Sequence, residues 1–275
     1  MNRLFVAYKP PFIASNTFLN QIKRRYGQKK AGFSGTLDPF ACGTLVIAFG
    51  AYTKLFRFLK KYPKTYRTTL WLGAKSASLD IERIEEIRHI PPFPLQQIER
   101  TLQSFKGEFT YIPPLFSAKK IAGKRAYQVA AKGEEITLSP VTSTIYDIRL
   151  LAYRHPFVSF EARVSEGTYI RSLGEHIARA LGCEGALSYL ERTQEGLFTY
   201  QEESPLDPVE YLATKPNSTT LSPQEVWHGK KLFLKDLQNQ APGMYHLLFD
   251  DFFAIIEVQD KKVRYLLNHI PRFEQ

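Results

Sequence analysis

The sequence predicts an α+β fold, a central mixed or antiparallel sheet flanked by helices and loops, followed by a small C-terminal β unit. Three observations carry that expectation. Windows with strand alternation and windows with helical periodicity follow one another without a regular βαβ repeat. The chain has 275 residues, 44% hydrophobic and 13% aromatic, enough for one large core and a small second one. A stretch rich in Pro, Ser, Thr and Asn, "ATKPNSTTLSP" at 213–223, separates the two. The expected division is a main domain at 1–212, a linker at 213–223 and the β unit at 224–275.

The elements follow in chain order. "LFVAYKPPF" (4–12) reads as a short strand ended by two prolines. "SNTFLNQIKRRYG" offers a helix start at Ser15 or Asn16, apolar Leu19, Ile22 and Tyr26, and a stop at Gly27. A glycine-rich loop then runs into a buried strand, "TLVIAFG". "TYRTTLWLG" (65–73) alternates like a half-buried strand. "PLQQIERTLQSFKG" places Leu95, Ile98, Leu102 and Phe105 on one helical face and stops at Gly107. "VTSTIYDIRLLAY" and "FVSFEARVS" read as strands, and "GTYIRSLGEHIARALG" as a helix with Ile170, Leu173, Ile177 and Leu181 inward. Beyond the break, "GMYHLLFDDFFAIIEVQDKKVRYLL" has strand-like runs joined by a charged turn at Asp260 to Lys262.

Charge narrows the partner. Thirty-seven Lys and Arg against 27 Asp and Glu give a net charge of +10. Such a balance points to a polyanion, because each neutralised phosphate releases condensed counterions. Lys23, Arg24, Arg25, Lys29 and Lys30 cluster before the glycine loop, and aromatics interleave with bases in "KLFRFLKKYPKTYR". Nucleic acid is the favoured partner, with a membrane surface second. No window approaches the run of about 18 apolar residues that a membrane span needs. The N-terminus has no signal-peptide pattern. Two cysteines, Cys42 and Cys183, form no CxxC pair, so a reduced, cytoplasmic protein is expected.

The chemistry centres on one carboxylate. Phosphate-loop, dinucleotide, HExxH and GxSxG signatures are absent, and the histidines never fall at metal-ligand spacing, so no metal or cofactor is expected. In "AGFSGTLDPFACGTLVIAFG" (31–50) Asp38 sits between Leu37 and Pro39, and the proline pushes it into extended backbone. Gly35 and Gly43 let the loop turn and approach another molecule. Asp38 is either the acceptor of an Asx turn or a site carboxylate. In "EGTYIRSLGEHI", Arg171 at a strand-to-helix junction either faces solvent from the helix's first turn or pairs with a carboxylate and favours its ionised form, and Tyr169 can stack on an unpaired base. Tyr66, between Lys64 and Arg67, is a further aromatic candidate or a plain core residue.

Taken together and in this order, these segments resemble the bacterial tRNA pseudouridine synthases of the TruB type. "YKPPFIASN" resembles the opening Lys-Pro motif, and "AGFSGTLDPFACGTLVIAFGAYTKLFRFL" the signature loop around the catalytic aspartate. "KTYRTTLWLG" resembles the strand of the active-site tyrosine, and "YIPPLFSAKKIAGKRAYQVAAKG" the Pro-Pro segment. "GTYIRSLGEHIARALG" and "LERTQEGLF" resemble the last two motifs. The resemblance spans roughly residues 4 to 200 and implies a pseudouridine synthase fold. It implies that Asp38 is the essential carboxylate, that Tyr66 stacks on the target base and serves in proton transfer, and that Arg171 pairs with Asp38. Tyr169 would line the pocket, Lys9 and Pro10 would support it, and Phe33 and Asp80 would meet the RNA. The implied substrate is the uridine of the T-arm loop of tRNA, position 55 by tRNA convention, with no cofactor or metal and a monomer as the default.

The departures from the family pattern are specific. Phe12 stands where glycine is usual, Phe33 where histidine is usual and Ala77 where aspartate is usual. His176 replaces a common aspartate. The tail is too short for a complete PUA domain and reads as a reduced, PUA-like unit. Two other readings stay open: a tRNA-binding or tRNA-folding protein without chemistry, and a related synthase acting on another RNA. A carboxylate hydrolase would want a second acid or a metal cluster beside Asp38, which the local sequence lacks.

Overall fold

The computed structural model describes residues 1–114, 120–121, 124–125 and 138–272. Most of the Pro-Pro segment at 111–133 lies outside the described residues. Proline and glycine punctuate the first elements. β1 (Arg3–Lys9) stops at Pro10, and α1 (Ser15–Arg25) follows, burying Phe18 and Ile22 and carrying Lys23, Arg24 and Arg25 in its last turn. Leu19 is only partly buried, so the inward face lies one position from the expected one. β2 (Ala31–Phe33) leads to β3 (Cys42–Phe49), whose every residue is buried, as its apolar run requires.

β4 (Lys64–Leu72) alternates as expected, burying Tyr66, Thr68, Leu70 and Leu72 and exposing Arg67. A small hairpin of β5 (Ala74–Ser76) and β6 (Ile84–Ile87) precedes α2 (Leu95–Ser104). α2 buries Ile98 and Leu102, while Leu95 is exposed at the first turn. Gly107 does not stop the helix; it opens β7 (Gly107–Tyr111). β8 (Lys120–Ile121) pairs with β9 (Lys124–Arg125). The long β10 (Val141–Arg154) and β11 (Phe157–Val164) form a hairpin, and α3 (Ile170–Ala180) then leads into β12 (Gly185–Glu195).

Among the described residues the main sheet runs β1-β3-β12-β4-β11-β10-β7, with β2 added on β3. Only the β12–β3 contact is parallel, so the sheet is mixed, as the sequence predicts. α2 and α3 cover one face and build the main core with Leu70, Ile148, Phe160, Leu173, Ile177 and Leu187. β12, near the middle of the sheet, is absent from the sequence reading. Register shifts at Leu187/Tyr189 and Arg192/Gln194 break its period of two, which removes the signal that marks a strand.

The tail forms a second sheet, β13 (Lys215–Asn217), β14 (Gly243–Leu248), β15 (Phe252–Gln259) and β16 (Lys262–Pro271), in that order, with α4 (Pro223–Trp227) beside it. β13 falls inside the segment expected to be a linker, and its parallel pairing with β14 makes part of that segment sheet. The expected charged turn is there: Asp260 and Lys261 both take positive φ between β15 and β16. Leu4, Val6, Val46, Tyr52 and Leu55 pack in one cluster with Phe253, Ile255 and Ile270, so the tail shares a core with the main sheet. Among the described residues no helix is long and apolar enough to cross a membrane.

Candidate active site

The loop after β2 presents Asp38 at the wall of a cavity of about 360 Å³, within the usual range for small ligands. Leu37, Asp38, Tyr66, Tyr169, Arg171 and Arg192 are among its lining residues. Asp38 is not the acceptor of an Asx turn. Its Oδ2 meets Arg171 Nε at 2.9 Å, and about a third of the carboxylate side chain (32%) stays exposed to the cavity. Arg171 sits in the first turn of α3, where helical geometry turns it inward to 3% exposure. Its Nη1 donates to the Ser78 carbonyl at 2.7 Å and lies 3.3 Å from Asp80 Oδ2. Asp80 in turn accepts from Ser78 Oγ and from the Glu82 amide.

One guanidinium therefore serves two carboxylates. Burial pushes the Asp38 carboxyl above the ordinary aspartate range; Arg171 works against this, and the charge of Asp80 works with it. The ion pair expected from sequence is present, yet the net direction is upward.

Tyr66 comes from the buried face of β4 and lines the same cavity. Arg192 on β12, opposite Tyr66 in the strand register, holds the Thr44 carbonyl at 2.9 Å and the Gly35 carbonyl at 2.8 Å. Burial opposes the charge on Arg192, but Glu195 and Tyr66 raise its pKa further. Behind it, fully buried Glu195 takes Arg192 at 3.2 Å, Lys64 at 3.4 Å and Ser34 Oγ at 2.7 Å. Gly35, at φ +59°, is forced: a Cβ there would lie 2.8 Å from Lys64 Nζ. Gly43 is forced too, but by its own chain rather than by another molecule. At φ +105° its Cβ would stand 2.3 Å from the Arg192 carbonyl oxygen.

Lys9 reinforces the loop from behind. It is completely buried and donates to the carbonyls of Ile13 at 2.7 Å, Pro10 at 3.0 Å and Pro39 at 3.2 Å. Burial lowers its pKa to about 8 against the raising effect of Cys42 and Asp38. Ser15 grips Leu37 from both sides, donating to its carbonyl at 2.8 Å and accepting from its amide at 3.0 Å.

The structure brings Asp38, Tyr66, Tyr169 and Arg171 together at the cavity. It places Lys9 and Asp80 behind the wall, and Asp80, 1% exposed, is a partner of Arg171 rather than a surface that meets RNA. Pro10 is exposed on the neighbouring loop, and Phe33 is half-buried against the apolar side of α1. The sequence reading missed Arg192 and Glu195, and took Lys64 only as a neighbour of Tyr66. Their meeting depends on the β4–β12 pairing, and the buried charge in "LERTQEG" was the one local hint. Among the described residues no group of three or more His, Cys, Asp and Glu side chains converges as ion ligands would. The lining offers the carboxylates of Asp38 and Glu166, the rings of Tyr66 and Tyr169, and the cations of Lys64, Arg171 and Arg192.

Comparison with known proteins gives the family. The sequence model described as "TruB family pseudouridylate synthase (N terminal domain)" matches residues 23–170. The tRNA pseudouridine synthase B of a Nitratiruptor species is 67% identical, with 99% of each chain covered. That of Campylobacter jejuni subsp. jejuni serotype O:2 is 46% identical over 99% of this chain and 100% of the relative. A crystal structure of a Cbf5-Nop10-Gar1 complex superposes with a TM-score of 0.67 at 21% identity, covering 99% of this chain and 84% of that one, which supports the fold. By sequence along its whole length and by fold, the chain belongs to the TruB family of pseudouridylate synthases.

Proposed function

We propose that this protein isomerises uridine to pseudouridine in tRNA, acting on the T-arm loop at the uridine of position 55. The reading rests on the family and on relatives named tRNA pseudouridine synthase B. One observation carries the chemistry: Asp38, paired with Arg171, faces a cavity that Tyr66 also lines. The reaction breaks the bond from ribose C1′ to uracil N1 and forms one from C1′ to C5. N1 gains a proton and C5 loses one, so no redox partner is consumed. Asp38 acts as the essential carboxylate, Tyr66 as the ring against which the extruded base stacks, and Arg171 as the group that orients Asp38. Arg192, opposite Tyr66 across the β4–β12 pairing, lines the same cavity and sets a fixed cation beside that ring.

Extruding a loop base costs a few kcal/mol. Basic residues along the RNA path, Lys23, Arg24, Lys29 and Lys30 among them, offset that cost by gripping phosphates. The domain proposal is a catalytic unit at 1–212 and a reduced PUA-like unit beyond 213–223, working as a monomer in the cytoplasm. The decisive measurement is tritium release from a tRNA transcript carrying 5-tritiated uridine. About one equivalent per tRNA is expected, lost in Asp38→Asn and lost when the T-loop uridine is replaced by cytidine. Tight, salt-sensitive binding without release would leave a tRNA-binding protein. Release that survives the cytidine replacement would move the site elsewhere.

A further inference from the structure

The loop that joins β1 to α1 is strapped to the chain on both sides of Asp38. Lys9 Nζ holds the Pro39 carbonyl on one side, and Ser15 Oγ holds Leu37 on the other. The same ammonium also binds the carbonyls of Pro10 and Ile13, so both limbs of the turn are fixed from inside. At its apex stands Phe12, 70% exposed and at φ +62°. A bulky residue in the left-handed region is a genuine outlier, and such strain persists only where the surroundings over-determine it. An exposed ring gains little from water. The fold holds Phe12 outward, preceded by two exposed prolines, on the turn that Lys9 ties to the Pro39 carbonyl of the catalytic loop.

We infer that Phe12 is a stacking platform for an unpaired base of the substrate RNA, next to the uridine delivered to Asp38. The inference rests on the proposed function. An aromatic ring on a fixed backbone presents its face at low conformational cost, and every base has a face to offer it. The nucleotide beside an extruded base has lost a neighbour, and Phe12 replaces that lost stacking partner. The residue contacts substrate without touching the reacting atoms, so its effect belongs in binding.

The test uses the full-length protein and a T-arm stem-loop carrying 5-tritiated uridine, with Phe12→Gly, Phe12→Leu and Phe12→Trp. Loss of one stacking contact is expected to raise KM about tenfold in the glycine and leucine variants. The tryptophan variant should keep KM near wild type, and kcat at saturating RNA should change by less than about twofold in all three. Phe12→Gly should melt no lower than wild type, because glycine accepts a positive φ. That combination of tighter or equal fold and weaker RNA binding separates stacking from a structural role. Wild-type KM in Phe12→Gly and Phe12→Leu would overturn the inference, as would a KM in Phe12→Trp as high as in Phe12→Gly. Absence of release by the wild-type protein would instead overturn the proposed function, a separate outcome in the same assay.

Discussion

Asp38 is placed where its charge is useful and costly. Its carboxyl shares Arg171 with Asp80, which lies deeper and has two further donors, so Arg171 is divided between them. Burial lifts the Asp38 pKa above its unfolded value, with Asp80 adding to the lift. A carboxyl with a raised native pKa contributes stability that is complete below the unfolded pKa and lost as pH rises through the native one. At neutral pH the ionised form therefore weakens the fold. Asp38→Asn keeps the shape, removes the charge and leaves Arg171 paired with Asp80. It should abolish tritium release, by about a thousandfold or more, as for loss of an essential carboxylate. It should also raise the melting temperature at pH 8, and the gain should shrink as pH falls toward 4, where the wild type protonates. Calorimetry across that range checks the sign. A variant that melts lower than wild type at pH 8 would show that Arg171 outweighs burial. The activity profile should match, with an acid limb above the ordinary aspartate range.

At the scale of elements, the site hangs on a short parallel contact between β3 and β12, Glu191 opposite Cys42 and Arg192 opposite Gly43. Gly43→Ala would drive a Cβ into the Arg192 carbonyl, and no flexible side chain is there to yield. Urea unfolding should show a loss of about 3 kcal/mol or more, with activity falling further as Arg192 lets go of the Gly35 carbonyl. Gly27 is the control. It shares a positive φ, at 61°, but has nothing within 4 Å of the added carbon, so Gly27→Ala should cost only about 1 kcal/mol. The same contact explains which parts of the site could be read from sequence. Asp38, Tyr66 and Arg171 each sit in a local pattern: a proline-fixed loop, an alternating strand, a helix start. Arg192, Lys64 and Glu195 meet only through the pairing of strands distant in sequence, and bulges hide the strand that carries two of them. Phe12 was legible as a departure, but its strain and its mount are properties of the folded loop alone.

Across the whole molecule, the two sheets are not separable in the way the composition break at 213–223 suggests. β13 draws that segment into the second sheet, and Phe253, Ile255 and Ile270 pack among Leu4, Val6, Val46 and Tyr52. β1 thus has the tail on one side of its alternation, and on the other it meets α1 through Phe5 and Ala7 before ending at Lys9, which braces the Asp38 loop. A disturbance of the tail therefore reaches the catalytic loop through one strand. Phe253 is completely buried in this shared cluster, and Phe253→Ala removes most of a ring from a site that strands on both sides hold open. A loss of about 3–5 kcal/mol is expected. Because the core is common, unfolding should stay a single transition by tryptophan fluorescence and by tritium-release activity. Two separated transitions, with activity surviving the first, would show that residues 1–212 fold and work alone. In that event the second sheet would be an appendage, and truncation after 212 would leave a soluble enzyme; with a shared core, truncation leaves Leu4, Val6, Tyr52 and Leu55 uncovered and the chain aggregates.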